Sequence, residues 1–101
     1  MSVDGLWDLT VDSPLGPLAF TVDLKQRDDE IVGMLHNTKD NVSTDLIDGR
    51  AEGDELRWKA KLRQVRVTLT FTVRVTGDAL AGRVKAGMFG HYQVTGERAV
   101  R

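Results

Sequence analysis

Residues 55–76 read ELRWKAKLRQVRVTLTFTVRVT, and this stretch decides the fold. In its first part Leu56, Trp58, Ala60 and Leu62 alternate with Arg57, Lys59, Lys61 and Arg63. In its second part Val67, Leu69, Phe71, Val73 and Val75 alternate with Arg66, Thr68, Thr70, Thr72, Arg74 and Thr76. Such clean period-2 alternation means two strands, each with one buried face and one wet face. A hairpin centred on Gln64-Val65 joins them and sets Trp58 opposite Phe71, an aromatic pair on the buried side.

The neighbours follow by turn position. A hairpin centred on Gly77-Asp78 pairs Phe71 with Val84. A turn at Gly53-Asp54 pairs Gly49 with Trp58, where the glycine leaves room for the indole, and pairs Asp48 with Lys59. Turn residues recur every 8–12 residues along the chain. Eight strands are expected, at 5–11, 18–26, 30–37, 42–52, 55–63, 66–76, 79–86 and 91–98. Pro14 and Pro17 fall in the gap after the first strand, where neither damages a ladder. No segment keeps a helical period. A chain of 101 residues has room for one domain and one core. The expected fold is all-β, an eight-stranded antiparallel up-and-down barrel. A β-sandwich, or a barrel completed by a second subunit, is the alternative.

The bulk properties narrow the setting. With no cysteine there are no disulfides and no thiolate metal sites, which fits a reducing compartment. No apolar run approaches the roughly 18 residues of a membrane span. The first residues, Met1-Ser2-Val3-Asp4-Gly5, lack the basic and apolar regions of a signal peptide. The expectation is a cytoplasmic protein with no membrane association. The net charge of −1 hides an asymmetry: residues 1–55 hold 13 acids and 4 bases, residues 56–101 hold 2 acids and 10 bases.

Gly5-Leu6-Trp7 forms a G-x-W at the start of the first strand, and Arg98 ends the last. This pairing resembles the calycins, the superfamily of lipocalins, fatty-acid-binding proteins and avidins. The strand count and meander order are similar over nearly the whole chain. The resemblance implies that Trp7 sits at the closed end of the barrel with Arg98 packed across it. It also implies a ligand held inside the cup.

Motifs for other chemistry are sparse. His36 and His91 are far apart and outside any ligand-spaced motif, so no metal site is expected. The three serines, Ser2, Ser13 and Ser43, lie in no nucleophile elbow. Gly87-Met88-Phe89-Gly90 opens a strand and not a helix, so it is a hairpin loop without a phosphate-cradling role. Its apolar Met88 and Phe89 suit a barrel mouth or a dimer contact. No cofactor is implied.

One polar cluster is a candidate. A turn centred on Lys39-Asp40 pairs His36 with Ser43 and Met34 with Asp45. In that register the three polar side chains share the inward face of Ile47, Gly49 and Trp58, where His36 or Asp45 could act as a general base. A one-residue shift turns them outward. The last strand has the same ambiguity. An odd-length loop after Ala86 puts Tyr92, Val94 and Arg98 inside; an even-length loop puts His91, Gln93 and Thr95 there. The apolar choice makes Tyr92 the lining residue. The expected pocket comprises Trp7, Phe20, Met34, Trp58, Phe71 and Tyr92, with His36 and Asp45 as polar points.

The outward face is basic. The hairpin registers align Arg57–Thr72–Arg83 in one row and Lys59–Thr70–Lys85 in the next. The outer members of a row lie roughly 9–10 Å apart, twice the strand spacing. Threonines in place of aromatics, and a slightly acidic total, argue against nucleic acid. Three functions are carried forward. The first is a barrel binding a small apolar or aromatic ligand. The second is a cofactor-independent isomerase, cyclase or lyase using His36 or Asp45 as base and Tyr92 as acid or oxyanion donor. The third is an interaction module using the basic face, including a homodimer or larger homo-oligomer joined acid to base.

Overall fold

The computed structural model of the chain describes residues 3–14, 16–37, 41–62 and 66–99. Its strands are β1 (Gly5–Ser13), β2 (Gly16–Arg27), β3 (Glu30–Asn37), β4 (Val42–Asp45), β5 (Ile47–Glu52), β6 (Glu55–Leu62), β7 (Val67–Thr76), β8 (Ala79–Ala86) and β9 (His91–Arg98). A single 3-10 turn, Gly87–Phe89, precedes β9. Neighbours pair antiparallel in chain order, β3 passes from β4 to β5, and β9 returns to β1. The result is a closed eight-stranded antiparallel barrel with β4 as one extra strand.

The alternation in the sequence explains the closure. One side chain in two points inward along each strand, and the buried set among the described residues is wholly apolar. Trp58 faces Phe71 and Phe71 faces Val84, in the expected registers. The Trp58 and Phe71 rings stack with centroids 5.2 Å apart, an arrangement worth about 0.5–1.5 kcal/mol beyond its buried area.

Three expectations need correction. Pro17 lies inside β2, opposite Asp12, and not in a gap. Among the described residues β3 pairs with β2 from Phe20 onward, so no described strand lies on the other side of Pro17. The strand expected at 42–52 is two strands, β4 and β5, separated at Leu46. The β5–β6 ladder pairs Arg50 with Arg57 but Ile47 with Lys59, leaving two residues, Asp48 and Gly49, opposite Trp58 alone. This is a β-bulge, with Asp48 at φ 54°. The reason for Gly49 also differs from expectation. A side chain there would run into the backbone carbonyl of Ile31 on β3, not into the indole.

The two ends of the barrel differ. At one end the connections are the two-residue turns Asp28-Asp29, Gly53-Asp54 and Gly77-Asp78. The far end carries the β1–β2, β3–β4, β6–β7 and β8–β9 connections. The turn centres Lys39-Asp40 and Gln64-Val65, and the side chain of Phe89, lie outside the described residues. The ladders flanking those turns keep the expected registers, including His36 opposite Ser43.

Candidate functional site

The tight-turn end is sealed by a few residues acting together. The Trp7 indole Nε1 donates to the Val3 carbonyl at 3.0 Å, anchoring the segment before β1 as a plug. The Arg98 guanidinium lies over the Trp7 ring, 4.5 Å from its centroid. Its Nη1 donates to the Asp4 carbonyl at 2.6 Å and its Nε to the Asp78 carboxylate at 2.9 Å. Gly5, at φ 132°, keeps this space open, since a Cβ there would stand 3.1 Å from Arg98 Nη1. Trp7 and Arg98 thus meet as expected. Asp78 and the Val3 and Asp4 carbonyls were missed. The β8–β9 register, which aligns Ala79 with Glu97, places Asp78 beside Arg98 and would have revealed it.

Inside, Trp7, Phe20, Trp58 and Phe71 all point into the core. Tyr92 pairs with Val84 and packs against the core half-buried, so the last strand takes the register with Tyr92 and Val94 inward. Trp58 is fully buried, and its indole Nε1 has no hydrogen-bond partner. A buried donor left unmade costs about 1–3 kcal/mol. It is the one buried side-chain polar atom without a partner among the described residues.

Met34 does not line the interior. It is 45% exposed on the outer face of β3. His36 and Ser43 do meet, with Nδ1 to Oγ at 2.8 Å, but on the same outer face. Asp45, opposite Met34, is exposed there too. The bulge is the cause. Counting back from inward Ala51 and Gly49, unbroken alternation would put Ile47, Asp45 and Ser43 inside. The extra residue reverses the phase, so Leu46 packs on the core while Ser43 and Asp45 turn to water. His36 and Asp45 therefore lie outside the barrel wall, and Tyr92 faces its interior.

The basic rows form as expected, Arg57–Thr72–Arg83 and Lys59–Thr70–Lys85. Acids temper one side of them. Glu55 pairs with Arg57 at 2.9 Å and with Arg74 at 3.8 Å, and Asp48 reaches Lys59 at 4.0 Å. Arg83 and Lys85 have no ion pair among the described residues. Two open hollows flank the bulge on the outer wall. One of about 280 Å³ is lined by Arg50, Arg57, Lys59, Thr70 and Thr72 among others. The other, of about 730 Å³, lies between β3 and β5 over Ile31 and Gly49.

No family model, no curated protein and no solved structure matches the chain. Its chemistry is therefore read from its own geometry: a barrel sealed at one end, an apolar aromatic interior, and one buried donor without an acceptor.

Proposed function

We propose that the protein is a calycin-like barrel that binds a small apolar or aromatic molecule in its interior, beyond Trp58 from the sealed end. The observation that carries this reading is the unpartnered Trp58 Nε1. A ligand with one acceptor atom, a carbonyl or ether oxygen, would take that hydrogen bond, while the apolar lining takes the rest of it. Ligand pockets combine such linings with few polar groups. Small side chains at Ala60 and Ala86, on either side of Leu69, support placing the ligand in the far half. An eight-stranded barrel is wide enough for one small ligand where large side chains are absent.

Native mass spectrometry of protein purified without refolding tests the reading. Retained mass that leaves on denaturation is the expected result, and it identifies the compound. Trp58→Phe keeps a ring against Phe71 but removes the donor. It is expected to lower ligand retention at least several-fold, since an unmade hydrogen bond costs about 1–3 kcal/mol. A bare chain mass from every preparation, including lysates of the source organism, would defeat the proposal.

A further inference from the structure

Three of the five exposed large apolar side chains among the described residues gather at one end, while Val32 and Met34 lie on the outer wall of β3. Leu18 (41%), Val42 (38%) and Met88 (101%) all lie at the far end of the barrel. Half-buried Leu62 and Val67 flank the β6–β7 connection beside them. Met88 sits in the Gly87–Phe89 turn between glycines at φ 55° and 100°, fully exposed. Apolar side chains gathered at one end of a barrel in this way mark a contact surface.

The charge at this rim is mainly basic. Among the described residues Lys61, Arg66 and Lys85 stand exposed around the far-end connections, against one exposed acid at the same level, Asp12 opposite Pro17. The opposite end is the reverse, with Asp4, Asp28, Asp29, Asp54 and Asp78 at its turns and plug. The barrel therefore carries a charge gradient along its axis, basic and apolar at one end and acidic at the other.

We propose that the far end docks on an anionic lipid surface, mouth down, with Met88, Leu18 and Val42 entering the headgroup layer and Lys61, Arg66 and Lys85 meeting lipid phosphates. Apolar residues ringed by bases are the chemistry of interfacial membrane binding. A surface contact needs no spanning segment, so the lack of an apolar run in the sequence does not bear on it. The acidic end faces away, where an anionic bilayer would repel it. This docking stands apart from the ligand proposal, because an empty barrel has the same rim. If both hold, the mouth opens toward the lipid.

Flotation with vesicles tests it, using phosphatidylcholine alone and phosphatidylcholine carrying about one-third phosphatidylserine. The protein is expected to float with the anionic vesicles at low salt and much less with the neutral ones. Lys61→Ser and Lys85→Ser should each lower partitioning about fivefold, the weight of one base near such a surface. Met88→Ser should lower it by a similar factor. Met88→Trp supplies a reporter: because Trp7 and Trp58 are fully buried, a blue shift on vesicle addition would come from position 88. Circular dichroism confirms that each variant folds. No flotation with either vesicle at low salt overturns the proposal, as does equal binding to both. So does a dimer that depends on Met88 in protein that ignores vesicles, which would assign the rim to a second copy.

Discussion

Arg98 shows how much one side chain can hold. It covers the Trp7 ring, ties down the Asp4 carbonyl and pairs with Asp78. A cation over an aromatic face contributes about 0.5–2 kcal/mol, and each hydrogen bond about 1 kcal/mol more. Arg98→Ala is expected to cost about 2 kcal/mol, read as a fall of roughly 8–16 °C in Tm for a domain of this size. Arg98→Lys should recover less than half, because the ammonium lacks the planar fork that meets two partners at once. In ligand-free protein Trp58→Phe is expected to cost about 1–2 kcal/mol by urea unfolding, because the smaller ring leaves a cavity in the core and removing a donor that has no partner offsets only part of that cost. The Trp7–Arg98 contact was legible from the motif. The unpartnered state of Trp58 was not, because alternation says which way a side chain points and nothing about what its polar atom meets.

At the scale of elements, the bulge at Asp48-Gly49 decides which residues are functional candidates. Eight strands and most of their registers were legible, since two-residue turns and period-2 patterns fix pairing together. The polar cluster was placed on the wrong face because a bulge inverts every residue beyond it. The adjacent apolar pair Leu46-Ile47 was the available sign: regular alternation cannot bury both, and a slip there buries Leu46. Gly49→Ala is expected to destabilise the barrel by about 1–3 kcal/mol, since β3 must move to admit a methyl group. Deleting Asp48 should cost less, because it turns the bulge into a regular ladder with Gly49 opposite Trp58 and Ile47 still opposite Lys59, leaving Leu46 inward and Ser43 and Asp45 outward. Equilibrium denaturation compares the two directly. Among the described residues β4 pairs only with β3, so its amides should exchange with solvent well before those of β7, which is paired on both sides along most of its length.

For the whole molecule, the joint between β1 and β9 brings the two ends of the chain side by side. Ala99 N donates to the Leu6 carbonyl at 2.8 Å, and Arg98 reaches Asp4. A circular permutant with a short linker joining these ends and a new opening at residues 38–41 should therefore fold, with a cooperative thermal melt. An opening placed in the middle of β9 should not, because it cuts the strand that closes the ring. Closure across almost the full chain length also predicts folding in milliseconds to seconds rather than microseconds, measurable by stopped-flow refolding.

That joint has a consequence for synthesis. While the chain is being made, β1 waits with an unpaired edge until the last strand has left the ribosome. The barrel cannot form piece by piece, and until then the open edges of β1 and β8 can pair with any strand nearby. Stalling translation before Arg98 would leave an unclosed sheet lacking the guanidinium that caps Trp7. The last residues of the barrel to be added thus determine when the nascent protein ceases to be a target for chaperones.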